Sequence, residues 1–160
     1  MKMPEPHKEH EWLHKLVGEW TYEFEAQEPD KSPEKLTGTE TVRSMGGIWV
    51  LCEGQGEMPG GGIAVNLITL GYDTEKKHFV GTFIGSMMTS LWVYDGWLEA
   101  GEKVLTLEAH GPSFTGDGTI SKYHDVIELQ DSDHRTMTSS VLGEDGQWQQ
   151  FMKMTFQRKK

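Results

Sequence analysis

One string in the sequence has the residue types and spacing of a metal centre: His10-Glu11-Trp12-Leu13-His14. On a helix, two His residues four apart lie one turn above each other, and the Glu beside the first can act as general base on a metal-bound water. His7 falls near the same face. The chemistry would be metal-dependent hydrolysis by His10, His14 and Glu11, with a third ligand from elsewhere, Glu53 or Asp125. Two features oppose it. The helix is only about three turns long and runs straight into a strand. The extended zinc-peptidase pattern also needs a glycine three residues after the second His, where Val17 stands. The polar flank of an amphipathic helix is therefore the expected role. No metal, cofactor or catalytic residue is assigned, and the balance is against an enzyme.

A second set of polar residues is expected inside the fold. In SKYHDVIEL (121–129) the face that carries Tyr123, Ile127 and Leu129 also carries Asp125. A carboxylate pointing into a core is costly unless it is paired or used. Arg43 in ETVRSM is expected to point inward too, because Val42 is the only strong apolar residue opposing it. The chain also holds nine Met, six Trp, six Phe and four Tyr. Flexible Met side chains suit an adaptable apolar cavity. Tyr22, Phe83, Trp92, Tyr94, Tyr123, Met137 and Met152 are the expected lining, with Asp125 and Arg43 as polar contacts. Each assignment depends on strand parity, since a slip of one residue turns every side chain over. Cys52 lies in the apolar run IWVLCEG with no adjacent His or Lys, which predicts a buried core thiol.

These residues need elements to hold them. Residues 1–7, with two prolines, form a loose tail, and 8–160 a single domain. His7 to Val17 is the one helical stretch, its apolar side made by Trp12, Leu13, Leu16 and Val17 and its end set by Gly18. Alternating segments follow at 20–26, 37–45, 47–57, 63–73, 78–85, 88–100, 103–111, 119–130, 135–143 and 147–157, separated by short turns and by a polar loop at 28–35. About ten strands with hairpin-length links form an antiparallel meander, and a meander of that size escapes its edge problem by closing. The expected architecture is a mainly β, up-and-down barrel with the helix at one end.

Composition narrows the partners. Fifteen basic and 25 acidic residues give a net charge of −10, which argues against nucleic acid and against anionic membrane surfaces. A single cysteine and a charged N-terminus without an apolar core point to the cytoplasm. Apolar residues on both faces of IWVLC, NLITL and LWVY predict cover by a second subunit, a homodimer.

The junction LVGEWTYE (16–23) resembles the Gly-x-Trp entrance of calycin barrels, whose Trp plugs the closed end. Together with EHEWLHKLVGEWTYE (9–23), ETVRSMGGIWV (40–50), LGYD and KKHFVGTFIGSMM (70–88), LWVYDG (91–96) and GQWQQF (146–151), it is similar to the uncharacterised bacterial family called domain of unknown function 1579. The resemblance implies a calycin-like barrel and no reaction. The functional expectation is a binding protein for a small, largely apolar molecule held in the barrel. The alternatives are the metal-dependent hydrolase and a filled barrel serving oligomerisation.

Overall fold

A computed structural model describes residues 1–26 and 32–160. Residues 28–31 of the polar loop lie outside the described residues. The strands are β1 (Gly18–Ala26), β2 (Glu34–Met45), β3 (Trp49–Glu57), β4 (Ile63–Asp73), β5 (His78–Gly85), β6 (Trp92–Leu98), β7 (Val104–Pro112), β8 (Ile120–Leu129), β9 (His134–Leu142) and β10 (Trp148–Arg158). Each pairs antiparallel with its sequence neighbours, and β1 also pairs with β10, Trp20 opposite Arg158 and Phe24 opposite Met154. The ten strands thus close into an up-and-down barrel, with no free sheet edge among the described residues. Local chemistry agrees with this meander. The β2–β3 reversal, for example, uses Gly46 and Gly47 at φ 68° and 79°, a conformation that costs glycine little.

The helix α1 (Lys8–His14) is shorter than its apolar pattern. Past His14 the chain tightens: the N–H groups of Leu16 and Val17 donate to the carbonyls of Leu13 and His14, three residues back. Gly18, at φ 138°, then turns it into β1. This tight end aims Trp12, Leu13 and Leu16 at the barrel's mouth, where all three are buried. The indole N–H of Trp12 donates to the Glu102 carbonyl at 2.7 Å, and that of Trp20 to the Leu16 carbonyl at 2.8 Å. One end of the barrel is thereby plugged, and Trp20, Phe79, Leu105, Leu107 and Phe156 are buried in the core.

Burial alternates cleanly along β3 and β6. Inward residues of β4 are Ala64, Ile68 and Leu70, while Ile63 and Val65 face out and are exposed. Ile84 of β5 and Val93 of β6 are exposed on that same outer face. Among the described residues no helix is long and apolar enough to cross a membrane.

Candidate ligand-binding cavity

Away from the helix, the barrel interior is not filled. A cavity of about 410 Å³ opens toward the end formed by the loops at 58–62, 86–91 and 113–119. That volume lies within the range of small-molecule sites, roughly 300–1,000 Å³. Its walls are mainly apolar. Tyr22 and Phe24 come from β1, Phe83 from β5, Trp92 and Tyr94 from β6, Tyr123 from β8, Met137 from β9, and Met152, Met154 and Phe156 from β10. Phe114, Phe151, Met87 and Met88 stand at the rim.

Glycines make room for the two largest intrusions. A Cβ at Gly38 or Gly56 would collide with the Tyr22 ring, and one at Gly111 with the Trp92 indole. Each ring lies flat over a neighbouring strand because the residue beneath it has no side chain. Trp92 and Tyr123 then meet edge to face with ring centres 5.0 Å apart, and Phe114 meets Tyr123 and Phe151 in the same way at 5.6 and 5.0 Å. These contacts form an aromatic rim at the open end. The Tyr123 hydroxyl is tied back to the Pro112 carbonyl at 2.5 Å.

Asp125 stands on the cavity wall. It pairs with Ser139 across the β8–β9 ladder, and the Ser139 hydroxyl donates to its Oδ1 at 2.6 Å. The Tyr94 hydroxyl donates to Oδ2. Tyr94 arrives from two strands away: extending the Asp95–Glu108 register by one step sets it beside Ala109, small enough to let the phenol pass. Burial pushes the Asp125 carboxyl above its ordinary range, and the two hydroxyl donors pull the other way. Burial also pushes the Tyr94 phenol well up, with the Asp125 charge adding to it, so the phenol keeps its proton and donates.

A second polar pair divides the cavity from the plug. Glu40 of β2 lines the cavity floor, and the Arg135 guanidinium of β9 donates to its Oε1. Both are buried. Arg135 lies over Phe156 at 3.9 Å and over Trp20 at 4.5 Å from the ring centres. Arg158 covers Trp20 at 4.3 Å and donates to the carbonyls of Val17 and Lys15 at 2.6 and 2.9 Å. The helix exit, β1 and β10 are locked together around one indole.

The structure brings Tyr22, Phe83, Trp92, Tyr94, Tyr123, Asp125, Met137 and Met152 to this one cavity. It does not bring Arg43. Val42 is itself an inward residue, 2% exposed, so alternation turns Arg43 outward, where its Nε lies 3.1 Å from Glu53 Oε1. The inward arginine is Arg135, two residues from Met137 and on the same face. That shared parity was the available signal, as was the parity of Glu40 with Val42.

The helix motif is built differently from a metal centre. His10 is buried; its Nδ1 accepts the His7 backbone N–H at 2.8 Å, leaving Nε2 to face the Tyr72 carbonyl at 3.1 Å. His14 places Nδ1 2.7 Å from the His10 carbonyl and Nε2 2.8 Å from the Ser44 hydroxyl. These imidazoles cap and anchor the helix. Glu53 sits outside the barrel and Asp125 inside it, so neither joins them. Cys52 is buried, its thiol pushed well up by burial.

Two solved structures are similar to this chain. The S-type phycobiliprotein lyase CPES from Guillardia theta is 11% identical, with TM-score 0.58 over 98% of this chain and 99% of its own. EF1p2_mFAP2b bound to DFHBI is 14% identical, with TM-score 0.49 over 94% of this chain and 98% of its own. No curated protein matches the sequence. Residues 5–158 match the family described as "Protein of unknown function (DUF1579)", and the chain belongs to that family, with a calycin-like barrel as its fold.

Proposed function

We propose that this protein binds a small, largely apolar molecule inside the barrel, with Asp125 fixing the ligand's polar end. The observation that carries the reading is the unfilled interior: a cavity of about 410 Å³ with mostly apolar walls and a hydrogen-bonded carboxylate set into one of them. Burial of the ligand's apolar surface would drive binding, at about 25 cal/mol per Å², and the polar contacts would orient it. The fold shared with the phycobiliprotein lyase agrees with a hollow barrel and specifies neither ligand nor reaction.

The test is a fluorescence titration with the neutral apolar dye N-phenyl-1-naphthylamine. The wild type is expected to enhance and blue-shift the emission saturably. Met152→Trp, which adds bulk to the cavity wall, is expected to weaken that response at least about tenfold while unfolding normally. An unresponsive wild type, or a variant that responds equally, would refute the reading.

A second copy of the chain is proposed to cover the outer face of β4, β5 and β6. Val65, Ile84 and Val93 are exposed there, and the paired hydroxyls of Thr69 and Thr82 lie 2.7 Å apart between them, on a chain of net charge −10. Two such chains repel on average, and an uncharged face is where they can approach at least cost. Sedimentation equilibrium should give a dimer for the wild type and a monomer for Val93→Lys; a monomeric wild type refutes the dimer. The proposed location is the cytoplasm.

A further inference from the structure

We infer that the cavity selects a protonated amine or another N–H donor on its apolar ligand and excludes fatty-acid-like anions. The inference rests on the binding reading above and adds the charge class of the ligand.

The argument is an inventory of the interior. Among the described residues, no Lys, Arg or His lines the cavity, whereas Glu40, Glu57 and Asp125 do. Glu40 is neutralised by Arg135, whose guanidinium is held behind it between Trp20 and Phe156. Glu57 is at the exposed rim and accepts from the Thr37 hydroxyl at 2.6 Å. Asp125 is different: it is half-buried on the cavity wall, and its partners among the described residues are two neutral hydroxyls. The neighbouring His124 belongs to the opposite face of β8, 2.8 Å from Glu108.

A carboxylate offers about four acceptor positions. Tyr94 and Ser139 take one on each oxygen, leaving the others for the cavity. A ligand carboxylate placed there would bring two like charges together at low dielectric, with no cation to join them. A ligand ammonium would meet the missing counter-charge instead. Tyr123, two residues along the same face of β8, adds an aromatic face beside it. An inward Arg43 would have reversed this preference; its outward position sets the sign.

The experiment displaces N-phenyl-1-naphthylamine from the wild type at neutral pH with decylamine, decanol and decanoate, which differ only in the head group. Decylamine should compete at least about tenfold better than decanol, the scale of one charge-assisted hydrogen bond. Decanoate should compete at least about tenfold worse than decanol. In Asp125→Asn, with each competitor referred to the dye's own measured affinity for the variant, the amine preference should collapse to within about threefold of decanol. The variant keeps every other acidic residue, so general attraction of cations to the chain would survive it. Decanoate competing as well as decylamine, or an amine preference that persists in Asp125→Asn, overturns the inference while leaving the binding reading intact. Absence of dye binding to the wild type overturns both.

Discussion

The two ends of this barrel are made of the same ten strands and do opposite things. At the helix end large inward side chains pack against α1. Trp20, Phe79 and Phe156 are buried, two arginines stack on the Trp20 indole, and α1 lies across the opening. At the loop end the inward positions carry rings and Met side chains that leave a hollow, and Phe114 and Phe151 remain exposed. Dense packing with the buried Glu40 and Arg135 held as an ion pair is what stability asks of a core. An open apolar hollow with a half-buried carboxylate lacking a cation does the reverse, and proteins keep such features where a ligand needs them. The comparison separates a packed end from a hollow one, the end to which the proposed function assigns the ligand.

The largest test of that division is Arg135→Ala. It strands Glu40 as a buried charge and removes the cation from two aromatic faces, so unfolding in denaturant should show a loss of about 3–5 kcal/mol. A loss below about 1 kcal/mol would mean that the helix end does not carry the stability assigned to it.

Asp125→Asn should have a smaller effect, and one that changes with pH. The native fold raises the Asp125 pKa, chiefly through burial. The stability linked to this group is therefore whole below the ordinary carboxylate value, about pH 4, and is lost as pH rises through the raised value. The groups facing it are the Tyr94 phenol and the Ser139 hydroxyl, with His124 adjacent across the strand. Asn has nothing to lose over that range. Thermal melts should show the variant gaining on the wild type between about pH 4 and pH 7. A variant that loses ground steadily over that interval would show that the hydroxyl donors outweigh burial.

Phe114→Ala should have the smallest effect on stability, within about 0.5 kcal/mol, because the ring is mostly exposed at the rim. It should change the rate of dye release instead, measured by stopped-flow displacement. A large stability loss with unchanged release would make the rim structural and blur the contrast between the ends.

Most of the barrel was legible because period-2 alternation and short glycine-rich turns are local signals. The strand runs at 20–26 and 63–73, for example, coincide with the main part of β1 and with β4. The lining was legible wherever an aromatic or Met residue fixed the parity, as at Tyr123 and Met137. Arg43 failed because a charged residue was judged by the scarcity of apolar neighbours rather than by Val42, the one neighbour that set the face. The Glu40–Arg135 pair was missed because its partners are far apart in sequence and only barrel closure brings them together. The His10–His14 string misled for a related reason. Spacing places two imidazoles on one helix, but the backbone and side-chain groups that engage their nitrogens come from the folded context.

The most direct test of the binding cavity uses the methionines as reporters. Met137, Met152 and Met154 line the hollow, whereas Met1, Met3 and Met45 are exposed and outside it. With methionine methyls labelled by carbon-13, a titration of N-phenyl-1-naphthylamine followed by methyl NMR should shift the first three resonances together, saturably, and leave the last three in place. Shifts confined to the exposed methyls, or no saturable shift at Met137, Met152 and Met154, would contradict the account.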